Sequence, residues 1–148
     1  MVYLSTKAQD STFVIPDSLK SSSYDDLFNK FLQDTGDTIK SRIYLNTVYK
    51  KALGDDNDLR KAQSLANLYI YEKNIDSKKE LLDLSLYHVK KSGNKVYSMI
   101  VYCYLGGHHL DVFEYDKALD SYLESLSLAQ EINSKYYIYI STNTILHL

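Results

Sequence analysis

The residues able to cleave, transfer or ligate are few, and their spacing suits none of these tasks well. His108 and His109 are adjacent, so on a helix they point about 100° apart and cannot share one metal ion. His108 with Asp111 would make an i, i+3 ligand pair, but no third ligand lies nearby. The pair therefore reads as the polar end of a helix before a Phe113-Glu114 turn. His88 and His147 have no companion motif. Cys103 is a nucleophile only if a histidine reaches it from another helix, and a small apolar thiol facing its neighbours is the simpler reading. Gly106-Gly107 is too short for a phosphate-binding loop, and Asp25-Asp26 and Asp55-Asp56 read as solvated turn carboxylates. These residues point away from an enzyme and imply neither a cofactor nor a metal site; catalysis through Cys103 or the histidine pair is the third alternative.

Composition narrows the classes further. The chain has 148 residues, 5 Gly and 1 Pro, so it lacks the breakers that sandwiches, barrels and Gly-rich loops require. It is 45% hydrophobic and 24% charged, ordinary for a globular domain and too apolar for a disordered one. A net charge of −2 and the absence of basic clusters argue against direct nucleic-acid binding. No apolar run approaches the ~20 residues of a membrane span, and no apolar signal core is present near the start. One cysteine excludes an intrachain disulfide without fixing the compartment, which stays open between the cytoplasm and, if a signal peptide was removed from a longer protein, an extracytoplasmic location. The 15 Tyr with no Trp suit stacked helices whose seams reach solvent.

Self-similarity supplies the architecture. Ala62-Leu65-Ala66-Tyr69 overlies Tyr102-Leu105-Gly106-His109 at an offset of 40 residues. The same offset carries Leu82 onto Tyr122, Ser85 onto Ser125, Leu86 onto Leu126 and Tyr97 onto Tyr137. An offset of 38 brings Tyr24-Leu27-Phe28-Phe31 and Tyr44-Thr47-Val48 into line. Each unit reads as two helices: Tyr115, Ala118, Leu119, Tyr122, Leu123 and Leu126 share one face of a 3.6-residue helix. Breaks fall at Thr35-Gly36-Asp37, Gly54 to Asn57, Asn74-Ile75-Asp76, Ser92-Gly93-Asn94 and Asn133-Ser134. Ser77 with Glu80 predicts a capping box at the fourth helix. The pattern predicts seven helices, at 22–33, 37–53, 57–73, 76–92, 95–112, 115–132 and 135–147, after an extended or disordered lead-in over 1–20. The repeat domain then covers 21–148, in units 22–56, 57–94, 95–134 and a truncated 135–148.

Tyr102, Leu105, Gly106, Ala118, Tyr122 and Ser125 resemble the tetratricopeptide-repeat (TPR) signature of aromatic, Leu-Gly, Ala, aromatic and small residue. Unit two is a weaker match, with Ala66 for Gly and Lys78 for Ala; the family's terminal Pro is missing, and His109 replaces its first-helix Tyr. The resemblance spans about residues 22–148 and implies an all-α, right-handed solenoid of antiparallel hairpins. Shorter runs, Pro16 to Leu19, Tyr24 to Leu27 and Asp37 to Tyr44, look like the N-terminal TPR region of Bacteroidetes helix-turn-helix regulators or sensor kinases. Ala8-Gln9-Asp10-Ser11 resembles a mature start after signal cleavage in that group.

The TPR resemblance implies a concave groove lined by the first helix of each unit. Carried across by position, its lining is Asn29 and Gln33; Arg60, Gln63, Asn67 and Tyr71; Ile100, Cys103, Leu110 and Asp111; and Asn143. Carboxamides at Asn29, Asn67 and Asn143 could donate to and accept from an extended peptide backbone, or could simply be solvated. The implied function is recognition of a protein or peptide, as the sensory or interaction segment of a bacterial transcriptional regulator. The alternative is a structural oligomerisation module with an empty groove. The last helix is apolar nearly all round, so Ile138, Ile145, Leu146 and Leu148 are the expected self-association surface.

Overall fold

A computed structural model describes residues 12–148. The lead-in is outside the described residues up to 11, as is the Ala8 to Ser11 run. From residue 12 the chain is not simply extended. It makes one 3-10 turn, Asp17–Leu19, and buries Leu19 against Leu27 and Val48.

Seven α-helices follow: α1 (Tyr24–Gln33), α2 (Thr38–Gly54), α3 (Asp58–Tyr71), α4 (Ile75–Ser92), α5 (Lys95–Asp111), α6 (Tyr115–Glu131) and α7 (Lys135–Leu146). There is no strand among the described residues. No helix among them is long and apolar enough to cross a membrane. Each helix packs on the next, most closely within the pairs α3–α4 and α5–α6, so the fold is an all-α, solenoid-like stack.

The breaks work because they contain caps. Asp37, Asn57, Asn74 and Asn94 each accept the backbone N–H three residues on, satisfying one of the donors a helix start leaves unpaired. The fourth helix departs from the expected capping box. Glu72 receives the N–H groups of Lys73 and Asn74, at 2.7 and 3.0 Å, which leaves Asn74 extended and placed as the cap. The Ser77 N–H is then bonded to Asn74 Oδ1, and the helix starts at Ile75. The reciprocal box lies at α1, between Ser23 and Asp26.

Small residues set the spacing between helices. Ser85 and Ser125, equivalent by the 40-residue offset, are both fully buried. Ser85 donates to the Ala62 carbonyl at 2.8 Å and Ser125 to that of Met99 at 3.1 Å, each across its own hairpin. A hydroxyl here tolerates close backbone approach and finds a partner, where a larger apolar side chain would force the pair apart.

Candidate functional site

α3 and α5 touch each other directly and more closely than α4 and α6 do, so these two helices form the inner row of the stack at its centre. On this row Tyr69 of α3 stacks on Tyr104 of α5, with ring centroids 5.8 Å apart and planes 24° apart. His108 meets the Tyr69 ring edge-on at 6.3 Å, and the Lys78 ammonium lies 5.0 Å from its centroid. Lys78 stands where unit three has Ala118, and its placement over Tyr69 explains how the larger residue is accommodated. Burial pushes the hydroxyls of Tyr69, Tyr97 and Tyr104 up, so all three remain protonated donors at neutral pH.

The sequence-derived groove residues divide into groups. Arg60, Gln63 and Asn67 are contiguous on α3. The Arg60 guanidinium lies 5.4 Å from the centroids of both Tyr24 and Phe28, donates to Gln63 at 3.1 Å and pairs with Asp25 at 3.1 Å. It therefore ties α3 to α1. Asn67 donates to the Gln63 carbonyl at 2.8 Å and to the Tyr97 hydroxyl at 3.1 Å. Both its amide hydrogens are used, which leaves its carbonyl oxygen as the atom still able to accept a hydrogen bond. The Tyr71 hydroxyl donates to the Thr35 carbonyl at 3.2 Å and its ring meets Phe31, so it closes the α1–α2 link against α3.

The other positions stand apart from these. Asn29 and Gln33 are exposed on α1, Asp111 is exposed at the end of α5, and Ile100 is half-buried. Cys103 is half-buried beside Ser125; burial pushes its thiol up, and the Ser125 hydrogen bond offsets this only in part. A nucleophile needs the opposite shift. Asn143 lies with Leu110, Tyr115, Thr144, His147 and Leu148 around a cleft of about 380 Å³. Of the expected self-association residues, Ile138 and Ile145 are half-buried, whereas Leu146 is 73% and Leu148 42% exposed. Tyr136 and Tyr139 are as open as Leu146.

No family model, curated protein or solved structure matches the chain.

Two polar arrangements escaped the sequence reading. Asp58 accepts or shares the proton of His88 Nδ1 at 2.7 Å and pairs with Lys91 at 3.2 Å. Lys61, only 5% exposed, bridges Asp56 and Asp58 at 2.6 and 3.5 Å. The His88 hydrogen bond holds the Asp58 carboxyl below its usual range, while burial pushes the His88 imidazole down. Their separation gave a usable signal: Asp58 and His88 lie 15 residues either side of Lys73 in the α3–α4 turn, so a hairpin brings them level. At the other end, His109 Nδ1 meets Glu114 at 2.7 Å and locks the end of α5 to the start of α6. His108 is 3% exposed, and its Nδ1 has no hydrogen-bond partner among the described residues. Those residues hold no group of three or more His, Cys, Asp or Glu suited to a metal ion.

Proposed function

We propose that this chain is a protein- or peptide-binding helical-repeat scaffold of the TPR type, acting as the interaction segment of a bacterial transcriptional regulator. The observation that carries the reading is the inner row. There α3 and α5 lie in direct contact, with the Tyr69 and Tyr104 rings stacked and Asn67 hydrogen-bonded to Tyr97 along one seam. Tyrosines offer a ligand broad apolar faces at low entropic cost, and their hydroxyls stay protonated as donors. The Asn67 carbonyl oxygen adds an acceptor for a backbone N–H. The raised Cys103 thiol weighs against the enzyme alternative.

The test is selection of extended peptides from a random display library on the purified chain, followed by calorimetry of retained peptides on the parent, Tyr69→Ala and Asn67→Ala. Loss of affinity in both variants, with melting curves retained, supports the reading. Peptides that bind all three alike, or a library that yields none, would refute it.

The second reading, self-association, is favoured by the open face of α7. Tyr136, Tyr139 and Leu146 are 66%, 67% and 73% exposed there. Light scattering on the parent and on Leu146→Glu separates the two: a dimer dissociated by the substitution selects assembly.

A further inference from the structure

The six residues expected on one face of α6 do not share one environment. Ala118 and Tyr122 are buried against α5, together with Ser125 and Ala129. Tyr115, Leu119 and Leu123, spaced i, i+4 and i+8, remain 55%, 37% and 46% exposed. Half of a broad apolar face is uncovered. Phe113 extends it: 76% exposed, it meets Tyr115 ring to edge at 6.5 Å, and it is held in the left-handed region at φ 63°. A bulky residue is costly in that conformation, and here it keeps an aromatic ring in solvent.

The equivalent positions of the preceding unit show that the repeat does not require this. Forty residues earlier, Leu119 and Leu123 become Lys79 and Asp83, which form an ion pair on the surface of α4. Phe113 becomes Lys73. Tyr115 becomes Ile75, which is also exposed, so it is the continuation through Leu119 and Leu123 and the Phe113 ring that is particular to α6. Beside it runs a second stripe at the same spacing, Asp116, Asp120 and Glu124, all exposed. The ion pairs of this helix and its cap use Glu114, Lys117 and Glu131 instead, so these three carboxylates have no ion-pair partner among the described residues. Tyr115 also borders the cleft of about 380 Å³ between the ends of α5 and α7, large enough for an anchoring side chain.

We propose that this edge of α6 docks a basic amphipathic helix of another protein. Its apolar residues at i, i+4 and i+8 would lie along Phe113, Tyr115, Leu119 and Leu123, and its Lys or Arg flank would face Asp116, Asp120 and Glu124. The acidic stripe selects the sign of the partner and disfavours an anionic lipid surface, which it would repel. The stripe is separate from the Asn67–Tyr69–Tyr104 seam, so a partner here leaves that seam free.

The test uses a fluorescein-labelled synthetic helix of about 18 residues, with Leu at i, i+4 and i+8 and Lys on the adjoining arc. A counterpart carries Glu in place of Lys. Anisotropy titrations compare the parent, the double variant Leu119→Lys with Leu123→Asp, which installs the pair found in α4, and Tyr69→Ala. The expected result is saturable binding of the Lys helix that weakens with salt and falls at least tenfold in the double variant, with its melting curve retained. Tyr69→Ala should bind as the parent does, and the Glu helix should bind at least tenfold more weakly. The proposal is overturned by absence of saturable binding, by equal binding to the double variant, or by loss in Tyr69→Ala, which would move the helix to the inner row. It is equally overturned if light scattering shows a parent dimer that the double variant dissociates, since a second copy would then cover this face.

Discussion

Gly106 of α5 and Tyr122 of α6 are fitted to each other so closely that a Cβ on the glycine would lie 2.7 Å from two carbons of the tyrosine ring. Tyr122 is only 5% exposed and has little room to withdraw. One unit earlier the same two positions hold Ala66 and Leu82, both fully buried in one cluster. A larger residue on one helix is matched by a smaller one on its partner, which is how two hairpins of different sequence keep a similar crossing.

Gly106→Ala should therefore destabilise the fold despite its better helix propensity. Overpacking costs about 1–3 kcal/mol, against about 1 kcal/mol gained from replacing a helical glycine. Gly107 is the control, because its Cβ would sit 3.7 Å from the Tyr122 hydroxyl, an ordinary contact, so Gly107→Ala should stabilise. Adding Tyr122→Leu to Gly106→Ala recreates the unit-two pair and should recover part of the loss. Urea midpoints for the parent, Gly106→Ala, Tyr122→Leu and the double variant close the cycle, and additive effects would contradict the size matching.

Stability should fall in mildly acidic solution. Burial depresses the His88 and His108 imidazoles below their ordinary 6.5, so the unfolded chain takes up protons that the folded chain resists. The contribution is complete above that ordinary value and is lost as pH drops through it. Asp58, held down chiefly by the His88 hydrogen bond, adds a loss that begins only as pH falls toward 3.8. Urea midpoints should thus decline between about pH 7.5 and pH 5.5, and less steeply in His108→Phe. A midpoint that rises over that interval would refute the assignment.

Phe113 is in the left-handed region at φ 63°, where glycine is at ease. Phe113→Gly should raise stability by roughly 1 kcal/mol, since the strain is relieved and the lost ring was 76% exposed. If Phe113 serves docking, the same change weakens the Lys helix while strengthening the fold. A destabilised Phe113→Gly would mean that the ring packs more than its exposure indicates.

The Cys103 thiol should react more slowly with a disulfide reagent at neutral pH than a free cysteine does. Burial raises it, and the only offset is the Ser125 hydrogen bond, so Ser125→Ala should slow it further. A rate faster than free cysteine would reopen the enzymatic reading.

The helices were legible because their signals are local. Apolar residues recur at 3.6-residue spacing, and Asp37, Asn57, Asn74 and Asn94 mark the starts. The α4 cap was misassigned because Glu72 reshapes the turn through its own backbone bonds, an effect no short motif encodes. The site was less legible. Position within the repeat put Asn67 on α3 but could not reveal that Tyr97, 30 residues on, takes one of its amide hydrogens. Nor could it show that Tyr69 and Tyr104 stack, because their separation of 35 residues is not the repeat length. Such contacts depend on how successive hairpins are offset in three dimensions.

The most direct measurement is amide chemical-shift mapping on the isotope-labelled chain as a library-selected extended peptide is added. Binding along the inner row predicts the largest shifts at Gln63, Asn67, Tyr69 and Tyr104, with the outward faces of α4 and α6 unmoved. Shifts centred on α4 or α6, or no saturable change with any selected peptide, would contradict recognition through the inner row.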